Sequence, residues 1–212
     1  GQGTLNMGLA ACFSALEVVP LTLLTLDAWD FIRLRERRCE DCQASFADRH
    51  HWAIYFLMAV GFWNFVGAGV FGFLINLPIV SYFEMGTALT SNHGHAALFG
   101  VFGMLALAVL VFCLRSLAED ATWARAERWI KVGFFILYWA MNKAVDLFPA
   151  GVLQLWDVLQ NGYWHARRLT YLMSGTFHTL EWARSAADTV FLVVGVVPLV
   201  VAVAILLLGS RR

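Results

Sequence analysis

The chain has 212 residues, 60% of them hydrophobic and 14% charged, with a mean hydropathy of +0.66. That balance lies far from a soluble average and describes an integral membrane protein. The formal net charge is zero, which gives no basic surface for a nucleic-acid partner.

About 20 apolar residues span a bilayer as a helix, and the apolar runs predict an all-α helix bundle with about five transmembrane spans. We read 1–212 as a single transmembrane domain fragment, part of a larger bundle. It opens on Gly1 with no signal peptide and an apolar stretch that starts almost at once, so it reads as a piece of a longer polypeptide. Membrane lipid is its expected surrounding.

The first span is expected over 5–31. Glu17 stands inside it. A charged carboxylate at mid-membrane costs about 2.5–3.5 kcal/mol on insertion scales, so the neutral acid is favoured there, and such an acid is able to pass a proton. A structural glutamate hydrogen-bonded to a neighbouring helix is the equal alternative. Pro20 has no N–H for the Leu16 carbonyl, so the helix is expected to bend nearby.

A charged loop follows, with Cys39 and Cys42 in a lone Cys-x-x-Cys. Zinc usually needs four ligands, so the pair reads as non-functional. Cys12 and Cys113 lie in apolar runs and read as inert packing residues. The second span is expected over 52–77, ending at Pro78, with a small-residue surface at Gly67-Ala68-Gly69 and Gly72 for close helix packing.

The third span, over 89–115, opens with Ser91-Asn92-His93-Gly94-His95. Two residues advance a helix by about 200°, so the imidazoles serve opposite flanks and cannot share one metal. Gly94, Gly100 and Gly103 keep the helix surface low enough for a large flat group on each side. Imidazole is a common metal ligand and the usual proximal ligand of haem iron. The pattern points to one haem on each flank; polar residues at the water-facing end of a span are the bland alternative.

The fourth span is expected over 129–159, interrupted by Pro149 and Gly151. Lys143 and Asp146 within it are spaced to pair on one face. Residues 160–185 read as an interfacial outer-side segment, because Tyr163, Trp164 and Tyr171 suit the membrane–water boundary. His165 and His178 in that segment are either exposed histidines or part of a ligand pocket. The fifth span is expected over 186–208, and Asp188 begins it, where a carboxylate suits a helix N-terminus.

The loops after spans one and three and the C-terminus hold most of the Lys and Arg, including Arg33, Arg35, Arg37, Arg38, Arg125, Arg128, Arg211 and Arg212. That side, with the C-terminus, is expected to face the cytoplasm. His93 and His95 then lie in the outer half of the membrane.

Three phrases in order carry a family resemblance. His93-Gly94-His95-Ala96-Ala97-Leu98-Phe99-Gly100-Val101-Phe102-Gly103-Met104 resembles the helix that ligates both haems in the haem–copper oxidase superfamily, in particular in the catalytic subunit of bacterial nitric oxide reductases. Phe62-Trp63-Asn64-Phe65-Val66-Gly67-Ala68-Gly69-Val70-Phe71-Gly72-Phe73 is similar to the preceding helix. Phe13-Ser14-Ala15-Leu16-Glu17-Val18-Val19-Pro20 resembles the segment carrying a buried glutamate. The wording looks most like the quinol-dependent, single-subunit type.

The resemblance implies a reductase of the bacterial cytoplasmic (inner) membrane that turns two NO into N2O and water with electrons from quinol. It implies two b-type haems, His93 holding the high-spin haem iron and His95 the low-spin one, and a non-haem iron whose ligands lie upstream in the same enzyme. It implies proton handling by Glu17 and a quinol contact at Asp188. His50-His51 lies on the cytoplasmic side and does not match the family's metal-binding pair. A homodimer is left open. An oxygen-reducing haem–copper oxidase, a cytochrome-c-fed nitric oxide reductase component and a non-catalytic packing subunit are the alternatives.

Overall fold

The computed structural model describes residues 3–20, 22–24, 26–27, 30, 46–140 and 144–209, and among them every regular element is a helix. Three helices are long and apolar enough to cross a membrane: α2 (His51–Asn76), α4 (Ala88–Leu117) and α7 (Gly175–Gly209). Other helices include α1 (Thr4–Leu16), α3 (Pro78–Glu84), α5 (Asp120–Ala140) and α6 (Ala144–Asn161). A helix satisfies all its backbone groups internally, which is why such apolar chain adopts no other form in lipid.

Local chemistry sets the breaks. Leu77 takes an extended conformation (ψ 128°) before Pro78, as the ring of the following proline demands, and Pro78 sits in the first turn of α3. Gly86 turns the chain at φ +79°, a left-handed conformation that glycine adopts without strain. Thr87 then caps α4 by accepting from the Leu89 N–H. Gly162 (φ +93°) ends α6 and starts a compact connection through 163–174.

α4 is central. Its first turns pack on α6, and the remainder packs on α2; α5 lies along the last half of α7. Phe56, Met104, Ile130 and Leu137 are fully buried between these helices. Each long helix contains a wide π-type stretch, Asn64–Val70 in α2, Ala96–Gly103 in α4 and Phe191–Val196 in α7. Such stretches are rare and are frequent at functional sites. The first two face each other beside His93 and His95.

The structure departs from the sequence-based expectation in three places. The helix of the first span is interrupted by a turn at Glu17 and is helical again at 18–20, 22–24, 26–27 and 30, a break close to where Pro20 withholds a hydrogen bond; residues 31–45, with Cys39 and Cys42, lie outside the described residues. The expected 129–159 span is helical throughout its described residues, in α5 and α6 on either side of 141–143, which lie outside the described residues. Pro149 lies inside α6. α7 begins at Gly175 rather than near 186. Its first turns are amphipathic, and Arg184 supports them by pairing with Glu181 (3.9 Å) and Asp188 (3.7 Å).

Candidate functional site

His93 and His95 lie in the regular α-helical part of α4, so the two rings leave the helix about 200° apart. His93 is half-buried against α2. Its Nδ1 donates to the Gly67 carbonyl at 3.0 Å, and Phe71 stands edge-on at 6.2 Å. Gly72 makes room for the ring: a Cβ there would meet His93 Cε1 at 2.7 Å. His95 is exposed, and its Nδ1 donates to the Ser91 carbonyl at 2.7 Å.

Both imidazoles are therefore arranged alike. A carbonyl oxygen only accepts, so Nδ1 carries the proton in each ring, and Nε2 keeps the lone pair that a metal needs. This backbone hold on the second nitrogen is the usual way a ligand histidine is oriented. The residues fit the holding of two separate irons, one by each imidazole. A Cβ on Gly94 would meet nothing within 4 Å, so the flank beside the imidazoles is open, whereas Gly100 is covered by Trp63, with ring and Cβ at 2.8 Å. Gly100 thus serves packing of α2 on α4 and not a flat ligand, a correction to the expectation. Gly103 is covered by Phe99 of its own helix.

Two clefts of about 390 Å³ each open along α4. One, in the half nearer the imidazoles, lies among Phe62, Trp63, Gly67, Phe71, Asn92 and Ala96. The other lies lower, among Phe99, Gly103, Leu107, Leu137 and Leu199. Neither imidazole lines them. Trp63 Nε1 and Asn92 Oδ1, both buried, have no hydrogen-bond partner among the described residues, at a desolvation cost on the order of 1–3 kcal/mol each.

Glu17 is exposed in its turn, and α1 packs on Phe71–Asn76 and α3. Asp188 lies well inside α7, roughly 20 Å of helix rise beyond Gly175, and so does not begin a helix as expected. His50 and His51 sit at the opposite end of α2 from His93. His50 is buried against the Phe112 ring, at 4.6 Å, and His51 Nε2 meets Glu127 Oε1 at 3.1 Å, where Trp52 also donates. Cys12 and Cys113 are free and exposed on the apolar faces rather than packed inside. Lys143 and the Asp146 side chain fall outside the described residues. Among the described residues, no three His, Cys, Asp or Glu side chains converge as a metal ion would require.

Two clusters at the end of the bundle that carries the start of α4 escaped the sequence reading. Glu84, 3% exposed, accepts from Thr90 Oγ1 at 2.7 Å. Burial pushes its carboxyl above the ordinary value, opposed by the Thr90 hydrogen bond and by the nearby Arg167 guanidinium. Arg167 donates to the Met85 carbonyl and lies 3.6 Å over the Tyr163 ring. In the second cluster, His165 Nδ1 donates to Asp157 Oδ2 at 2.7 Å, and Asn161 Nδ2 donates to Asp157 Oδ1 at 2.7 Å. Gln154 ties this region to the histidine helix, donating to the Ala166 carbonyl (3.1 Å) and accepting from the Ala88 N–H (2.7 Å). Glu84 stands on a short helix between spans, and only the fold buries it.

A multi-pass membrane helix bundle with two imidazoles poised on opposite flanks of a central helix defines the class of this protein. The chain belongs to the family described as Cytochrome C and Quinol oxidase polypeptide I, whose model matches residues 1–190. It is also 35% identical over 163 residues to a nitric oxide reductase polypeptide of Stutzerimonas stutzeri. That similarity covers 74% of this chain and 32% of the relative, so the chain spans about a third of the relative's length.

Proposed function

We propose that the chain is the haem-ligating portion of a nitric oxide reductase of the bacterial inner membrane, taking electrons from quinol and reducing two NO, with two electrons and two protons, to N2O and water. The observation that carries it is the pair of imidazoles with Nδ1 held by backbone carbonyls and Nε2 left to coordinate. His93 would hold the high-spin haem iron and His95 the low-spin one. The haems, with a non-haem iron held by residues upstream, would supply electron transfer and binding of NO.

The chain's own residues orient and exclude. The Gly67 carbonyl and the open face of Gly72 hold His93 in one rotamer and one tautomer. The apolar walls of α2 and α4 keep stray water from the flank of His93. Glu17 would hand on protons, and Asp188 would contact quinol. The exposed apolar residues around His95, among them Leu98 at 69% and Phe102 at 65%, would be covered by the upstream part of the same enzyme.

The test is the reduced-minus-oxidised visible spectrum of the full-length enzyme. We expect His95→Ala to lose the low-spin b-type signal and His93→Ala the high-spin one, and wild-type enzyme to consume NO with a quinol donor. Retention of both haem signals in both variants would overturn the ligand assignment.

A further inference from the structure

From the geometry of the outer connection we propose that His165, held by Asp157, is the group that takes a proton from quinol as it is oxidised; this rests on the quinol-fed reading above. Asp157 is 9% exposed and both of its oxygens accept a hydrogen bond, one from Asn161 and one from His165. The carboxylate is thereby fixed as an acceptor. With Nδ1–H turned to Asp157, the lone pair of His165 sits on Nε2, on a side chain 43% exposed. A buried acid orienting an imidazole whose other nitrogen is reachable is the arrangement of a general base.

The surroundings suit an aromatic amphiphile. Trp164 (74% exposed), Leu169 (73%), Met173 (58%) and Trp182 (66%) spread an apolar and aromatic surface around the connection, where such side chains mark the membrane–water boundary. A quinol presents its hydroxyls at that boundary and leaves its tail in lipid. Tyr171 stands edge-on to His165 at 5.8 Å, and its hydroxyl is pushed up, first by burial and then by the Asp157 charge, so it stays a neutral neighbour. The connection is also rigidly tied to the haem-ligand helix. Gln154 bridges Ala166 to Ala88, and Ala88 lies roughly 10 Å of helix rise from His95.

In the step, one quinol O–H bond breaks and its proton passes to His165 Nε2. The second hydroxyl proton goes to water at the outer surface. The ring would become the quinone by giving up two electrons, and a bound b-type haem would supply the oxidant that accepts them one at a time. His165 is catalytic in this scheme, and Asp157 positions it.

The experiment uses the full-length enzyme in lipid nanodiscs and follows haem reduction in stopped flow, with a short-chain benzoquinol in one arm and dithionite in the other. His165→Ala should slow quinol-driven haem reduction by about 100-fold or more, leave dithionite reduction unchanged, and recover part of the rate on adding imidazole. Asp157→Asn, of the same shape, should lower the maximal quinol rate with little change in the quinol concentration at half-maximum. It also covers the case in which His165→Ala does not assemble. Quinol-driven rates within about twofold of wild type in both variants, or no rescue by imidazole, would overturn the proposal. Wild-type haem that dithionite reduces and no quinol reduces would instead overturn the quinol-fed reading, and a haem-free wild type the ligand assignment.

Discussion

His93 and His95 are neighbours in sequence and strangers in space, and substitutions around each should act separately. Gly72→Ala puts a methyl 2.7 Å from His93 Cε1, so the ring must shift and its hold on the Gly67 carbonyl weakens. The expected outcome is loss of the His93-held haem signal with the His95-held one retained, read in the visible spectrum of the full-length enzyme, together with roughly 1–3 kcal/mol of overpacking cost. Glu84 gives a pH prediction. Burial raises its carboxyl above the ordinary 4.5, so between 4.5 and the folded value the native state binds a proton that the unfolded state has released. Its contribution is complete below 4.5 and is lost as pH rises through the folded value. Melting curves in nanodiscs should therefore show Tm falling across that window in wild type and a flatter profile in Glu84→Gln. Neither effect is legible in the sequence: Gly72 and Glu84 acquire their meaning from residues on other helices.

At the level of elements, the α2–α4 contact is set by small residues. A Cβ on Gly67 would stand 2.5 Å from Ala96 Cβ, and one on Gly100 2.8 Å from Trp63. Within lipid the gain from helix association comes from close packing rather than from leaving water, so separating these backbones removes the contact energy directly. Gly100→Ala should lower stability by roughly 1–3 kcal/mol in detergent unfolding while leaving the haem spectrum at folded conditions unchanged, since neither imidazole touches Gly100. The sequence marked this surface as small, but assigned Gly100 to a flat ligand. A low helix surface suits either occupant, and only the position of Trp63 on α2 decides. The start of α7 shows a similar limit. His178, Glu181 and Arg184 read as a wet connection, yet Trp182 donates to His178 at 3.0 Å and Arg184 bridges both acids. These bonds between residues three and four apart carry the helix through polar sequence.

For the molecule as a whole, the distribution of Lys and Arg predicts one orientation, with the α4–α5 turn inside and the α6–α7 connection outside. Single cysteines at Ser116 and Trp164, both exposed, in a full-length background lacking other reactive thiols, should react with an impermeant maleimide from opposite sides of sealed vesicles, Trp164→Cys from outside. Labelling of Ser116→Cys from outside would reverse the placement of the haems. The same view explains why apolar surface is so abundant on the described helices. A helix face turned to lipid and one turned to another helix carry the same residues, so composition does not separate them.

The sequence by itself determined the helical membrane class, the approximate courses of α2 and α4, and the opposed directions of His93 and His95. Each follows from local facts: an apolar run must satisfy its own backbone in lipid, and the helical repeat sets the angle between positions two apart. Tertiary structure alone decided which nitrogen of His93 a backbone carbonyl holds, what covers Gly100, how deeply Glu84 is buried and which acid orients His165. Each of those depends on a partner far along the chain or across a turn, such as Gly67 for His93 and Trp63 for Gly100. Spacing in sequence carries no information on such distances.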